Sequence, residues 1–104
     1  LDTKYRLRTQ PLVVSQGLLD ASLVHPREVF RQAIARNCSA LILAHNHPSG
    51  DPAPSAEDLR VTRQLVAAGK VIDIRVLDHV IIGRETPVRP GYCSLRDDGL
   101  VEFA

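Results

Sequence analysis

A chain of 104 residues, 44% hydrophobic and 24% charged, has the size and composition of one globular domain that buries its own core. A formal net charge of +1 and an aromatic content of only 4% argue against a general nucleic-acid-binding face and against a base-stacking platform. No apolar stretch approaches the length of a membrane span, so no membrane partner is expected, and Cys38 and Cys93 stand far apart without ligand spacing, as expected of reduced thiols in a cytoplasmic protein. The opening Leu1-Asp2-Thr3, without a Met, suggests a piece of a longer protein.

Leu1 to Thr3 reads as the end of a strand, Lys4 as a turn and residues 7–15 as a second strand, together a hairpin. Pro11 demotes the second strand to an edge or a bulge, Gly17 breaks it, and residues 18–24 read as a connector. Pro26 stands where a first helical residue would, with Glu28 behind it, and His25 just before it reads as part of that helix start. Val29, Phe30, Ala33 and Ile34 form the apolar stripe of this helix, and Asn37 is a plausible end. Residues 39–45 read as a central, buried strand, followed by a loop rich in Pro and Gly. A second helix is expected over 55–68, with Leu59, Thr62, Leu65 and Val66 inward and Gly69 as its terminator. Residues 71–77 read as a strand with Ile72, Ile74 and Val76 on one side, and residues 80–83 as another short strand. Residues 86–91, with two prolines, look like a mobile loop, and residues 92–104 like a last strand with a helical turn around 95–99. This alternation predicts an α/β domain of the mixed α+β kind, a mixed sheet with helices packed on it.

The chemistry concentrates after the central strand. His45 and His47, two apart, share one face if the strand continues through them, and Ser55-Ala-Glu-Asp58 starts the next helix. Two neutral imidazoles and the Asp58 carboxylate would then converge at a strand-to-helix crossover, a divalent-metal ligand set with a fourth position for water. Ser55 and Asp58 also read as a capping box, and the two roles coexist because a carboxylate has two oxygens. A deaminase reading fails because Asn46 stands where His-x-Glu is required and no Pro-Cys-x-x-Cys follows, and His-Glu-x-x-His is absent.

His45-x-His47, seven residues, then Ser55-x-x-Asp58 resembles the JAMM signature of the MPN (JAB) metalloprotease superfamily. The wording His45-Asn-His47-Pro-Ser-Gly-Asp51, with the later Asp78-His79, looks like the RadC branch. The resemblance implies a sheet flanked by helices, similar in outline to the cytidine deaminase fold. It implies one Zn²⁺ per chain on His45, His47 and Asp58, with the Ser55 hydroxyl stabilising the oxyanion when an activated water attacks an amide carbonyl. It also implies a general-base glutamate at the start of the first strand, expected upstream of Leu1 and so absent from this sequence. Glu28 is the only glutamate that precedes the histidines, and a first-turn position explains it.

Around the ligands, Asn46 should face the other side of the strand and fix the loop by hydrogen bonding, while Pro48 and Gly50 shape the turn. Asp51 reads as a loop acceptor rather than a ligand. Asp78-His79 reads as a strand end, where His79 either supports a metal ligand from behind or pairs structurally with Asp78, the latter slightly favoured. The expected partner is a peptide or protein substrate held at an exposed sheet edge by strand addition, an edge that also suits a homo-oligomer. The alternatives are a DNA-repair-associated or DNA-processing factor, which the RadC resemblance implies and the charge balance opposes, and a metal-bearing scaffold without catalysis.

Overall fold

The computed structural model describes residues 1–8, 10–11 and 26–103. Helix α1 (Pro26–Ala35) begins at a proline, whose fixed φ and missing N–H suit a first helical position. It ends as Asn37 takes a left-handed φ of 57° and Cys38 N–H donates to the Ala33 carbonyl at 3.0 Å. Val29, Phe30 and Ala33 are buried, whereas Ile34, expected on the same stripe, is 61% exposed.

Strand β1 (Ala40–Asn46) follows, then helix α2 (Ala56–Ile72), strand β2 (Arg75–Ile82) and the short strand β3 (Tyr92–Ser94). The sheet order is β1-β2-β3, with β1 and β2 parallel and β3 antiparallel to β2. Helix α2 is therefore the crossover of a β-α-β unit; it packs on β2, and α1 packs on α2. Leu65, Ile81, Leu95 and Val76 are the largest fully buried apolar side chains, with Leu41 and Leu43 of β1 packed against this core. Together these elements make the expected mixed α+β domain. Among the described residues no helix is long and apolar enough to cross a membrane. Cys38 and Cys93 are both free thiols, and burial, aided by Asp98, pushes the Cys93 thiol up to about 11.

Several expectations change. Residues 1–8 form no strand; instead the Asp2 carboxylate gathers the Lys4 and Arg6 N–H groups into a turn, and the Leu1 carbonyl accepts from Ser39 and Ala40 at the start of β1. The rest of the expected hairpin at 12–15, the connector at 18–24 and His25 lie outside the described residues. Strand β1 is not buried on both faces: Leu41 and Leu43 pack inward, while Ile42 is 54% exposed.

Helix α2 runs four residues beyond its expected end, to Ile72, and stops only where Asp73 takes the left-handed conformation and its N–H bonds the Gly69 carbonyl. Gly69 is thus no terminator. A Cβ there would fall on the Ile74 carbonyl oxygen, so the glycine exists to let the helix end lie against the entrance of β2. The strands expected at 71–77 and 80–83 are one continuous strand, β2, and Val71 and Ile72 belong to the helix.

Within β2 a bulge decides which side chains face the core. Leu41 pairs with Val76 but Ile42 pairs with Asp78, leaving Leu77 as the extra residue. Alternation from Ile74 and Val76 alone would turn Asp78 inward; the bulge shifts the phase, so His79 and Ile81 are buried instead. The Arg96 guanidinium donates to the Leu77 carbonyl at 2.8 Å, and the Asp78 carboxylate accepts from the His79 N–H, the Arg96 N–H and the Ser94 hydroxyl. Asp78 therefore ties the bulge to β3 and the turn that follows it. Its position is mid-strand, not the strand end expected.

Candidate metal centre

The C-terminal end of β1 and the N-terminus of α2 meet at one edge of the sheet, the place where parallel β-α units gather functional groups. His45 lies on the core side of β1, after Leu41 and Leu43, and His47 follows on the same side. Asn46, between them, is exposed, and its side chain makes no hydrogen bond among the described residues, so the loop-fixing role expected of it is not seen.

The loop is fixed by backbone instead. His47 N–H donates to the Ile82 carbonyl at 3.0 Å, Gly50 N–H to the His47 carbonyl at 3.0 Å, and Arg84 N–H to the Gly50 carbonyl at 2.6 Å. Arg89, from the segment expected to be mobile, donates to the Gly50 carbonyl at 3.2 Å and pairs with Asp51 at 3.0 Å. Asp51 also accepts from the Ala53 N–H at 2.9 Å, which is loop chemistry. A Cβ on Gly83 would fall on the Gly50 carbonyl, so this glycine sets how closely the loop approaches the end of β2.

Ser55 caps α2. Its hydroxyl oxygen accepts from Asp58 N–H at 3.0 Å, and its own N–H donates to Asp58 Oδ2 at 2.7 Å, a complete capping box. The reciprocal bond anchors the Asp58 carboxylate, which is 1% exposed, at the positive end of the helix. Ser55 is exposed, and its hydroxyl oxygen is engaged by the Asp58 N–H.

His45, His47 and Asp58 come together with their ligand atoms all within 4.8 Å of one another. His47 Nε2 lies 3.0 Å from Asp58 Oδ2, and His45 Nε2 lies 3.4 Å from Asp58 Oδ1. His47 Nδ1 is 2.9 Å from the Asp51 carbonyl, which can only accept, so Nδ1 carries a proton. His45 Nε2 and Asp58 Oδ1 are buried and have no hydrogen-bond partner.

Burial lowers the pKa of His45, and His47 acts in the same direction against the pull of Asp58. Burial works to raise the Asp58 carboxyl, but the Ser55 N–H and hydroxyl, with the two imidazoles, hold it below the ordinary carboxylate range. Both shifts favour the forms in which His45 and Asp58 offer lone pairs, and with His47 their ligand atoms converge on one point. Such a group can hold a divalent cation.

His79 stands directly behind this set. Its Nε2 is 2.7 Å from His45 Nδ1 and its Nδ1 is 2.6 Å from the Thr62 hydroxyl. The expected ring pairing with Asp78 is not formed; that carboxylate binds the His79 backbone N–H, because consecutive side chains of a strand point to opposite faces. Burial, reinforced by His45, pushes the His79 imidazole down to about 4. Glu28, by contrast, sits in the first turn of α1 and pairs with Arg31 at 3.4 Å. Sequence reasoning missed Thr62, which it treated as a packing position. The available signal was a hydroxyl on the apolar face of α2, one turn after Asp58.

A family model described as a RadC-like JAB domain matches residues 1–100. A UPF0758 protein of Symbiobacterium thermophilum is 60% identical over 88 residues, which cover 85% of this chain and 36% of the relative. A UPF0758 protein of Methanosarcina mazei is 50% identical over 102 residues, covering 98% of this chain and 42% of the relative. A third, from Alkaliphilus oremlandii, is 64% identical over 70 residues, with 67% of this chain and 30% of the relative covered. The chain spans less than half the length of these curated relatives.

Proposed function

The chain belongs to the RadC-like JAB domain family, and from that membership and the donor set at the β1–α2 crossover we propose that it is a zinc-dependent hydrolase of the JAMM type, cleaving an amide bond in a peptide or protein. One observation carries the reading: His45 Nε2 and Asp58 Oδ1, both buried and both without a hydrogen-bond partner, face each other at 3.4 Å. Two buried acceptors in that arrangement need a cation between them or a proton on the imidazole. Burial disfavours a second, charging proton on the ring. Two imidazole nitrogens and one carboxylate oxygen suit zinc, with a position left open.

His45, His47 and Asp58 would hold the ion, which when bound polarises a carbonyl and makes hydroxide available near neutrality. The work of the chain's own residues is to aim and to donate. The capping box holds Asp58 still, the Asp51 carbonyl fixes His47, and the Ser55 hydroxyl keeps a proton to give to an oxyanion while its oxygen serves the helix. By resemblance, the proton shuttle is a glutamate upstream of Leu1. Among the described residues the edge of β1 away from β2 is bonded by Leu1 at Ser39 and Ala40, and the part of that edge beyond Ala40 would suit an extended substrate segment.

Elemental analysis of the purified protein and of His45→Ala tests the reading. One zinc in the wild type, with affinity reduced at least about tenfold in the variant, supports it. Equal uptake by both overturns it.

A further inference from the structure

The contacts behind His45 have a direction. The Thr62 hydroxyl lies 2.7 Å from the Asp58 backbone carbonyl, an oxygen with no proton to give, so Thr62 donates there. Its one proton spent, the Thr62 oxygen must accept at its 2.6 Å contact, which places a proton on His79 Nδ1. A neutral His79 then has only a lone pair on Nε2, and at 2.7 Å that lone pair accepts from His45 Nδ1. With its proton on Nδ1, His45 presents an unprotonated Nε2 to Asp58 Oδ1.

We propose that Thr62 and His79 are positioning residues for the metal centre: a one-way relay from His45 Nδ1 through His79 and Thr62 to the Asp58 backbone carbonyl locks His45 in the tautomer whose Nε2 can ligate. The relay starts and ends on two residues of the donor set, so one side-chain chain fixes the ring of His45 relative to the helix turn carrying Asp58. Thr62 is fully buried and His79 is 5% exposed, which keeps water from replacing either contact. The residues involved come from three elements: β1 supplies His45, β2 supplies His79 and α2 supplies Thr62 and Asp58. The inference rests on the metal-centre reading for its purpose, but the tautomers are measurable without any metal.

Long-range ¹H–¹⁵N spectra of the full, metal-free chain should show Nδ1 protonated and Nε2 unprotonated in both His45 and His79. Thr62→Val, nearly isosteric, should change the His79 pattern and lower zinc affinity, measured by chelator competition, by about 10–100-fold. Thr62→Ser should restore both, because it restores the hydroxyl. His79→Gln, which offers an acceptor and a donor, should bind zinc more tightly than His79→Leu, and this pair decides the matter if Thr62→Val does not fold. An Nε2-protonated His45 or His79 in the wild type overturns the relay, as does a Thr62→Val protein with unchanged tautomers and unchanged affinity. Wild type that binds no zinc while showing the stated tautomers overturns the metal reading and leaves the relay standing.

Discussion

Asp58 serves the helix and the candidate site with different oxygens. Oδ2 accepts from the Ser55 N–H and lies near His47, while Oδ1 is left for His45 and whatever lies between them. Ser55 has the same duality, with its oxygen accepting the Asp58 N–H and its hydroxyl exposed at the candidate site. The two roles separate in one variant. Ser55→Ala should cost about 0.5–2 kcal/mol of stability, the range for a lost N-cap, and about 10²–10³ in turnover of a peptide-amide substrate, the range for a lost oxyanion donor. Melting curves and initial rates on the same samples check this, and a lowered melting point with undiminished turnover would leave Ser55 as a cap alone. At this scale the sequence was informative where residue type and spacing coincide, as in His45, His47 and Asp58. It was silent on Thr62, because a threonine on an apolar helix face has the same spacing whether it packs or relays a hydrogen bond.

Helix α2 and strand β2 differ from their sequence patterns for separate reasons, the close approach of the helix end to the entrance of β2 and a bulge within β2. Gly69 marks that approach, since its missing Cβ makes room for the Ile74 carbonyl. In an ordinary helix interior, Gly→Ala stabilises by about 0.8–1.0 kcal/mol. Here Gly69→Ala should instead destabilise, by about 1–3 kcal/mol net, because the added carbon meets backbone, which cannot step aside as a side-chain tip can. Urea titration of the variant measures the sign, and a gain in stability would show that the helix end and β2 are less tightly apposed. The Leu77 bulge belongs to the same scale. Hydrophobic alternation along 71–77 is a valid strand pattern, but one inserted residue reverses its phase, and only the partner strand reveals the insertion.

Across the whole molecule, two partly or wholly buried imidazoles make stability depend on pH. In the unfolded chain a histidine takes up a proton near 6.5, whereas in the folded, metal-free protein His79 does so only at about 4, and His45 is shifted the same way. Between those values the unfolded state binds more protons, so stability is fully present above 6.5 and is lost as pH falls towards 4. For His79 the interval corresponds to roughly 3 kcal/mol at 1.36 kcal/mol per pH unit. The Asp58 carboxylate, its pKa lowered from 3.8, loses its contribution only below that window. Urea titrations of chelator-treated protein at pH 7.5, 6 and 5 should show the fall, and His79→Gln should flatten most of it. A wild-type stability that is level over this range would contradict the burial of a neutral His79.

The sequence by itself determined the mixed α+β class, the strand-turn-helix frame from β1 to α2, and the residues that meet at its crossover. All of these depend on short-range facts: a period of two that puts His45 and His47 on one face, and a cap that holds Asp58 to Ser55 across three residues. The tertiary structure alone decided how far α2 runs, which face of β2 is inward and what stands behind His45. Those depend on contacts between residues far apart in the chain, Gly69 against the start of β2, Leu41 and Ile42 against the bulge, and Thr62 against His79. A local pattern fixes which side chains share a face. Which face is buried, and what partner waits there, is set by the free energy of packing one element on another.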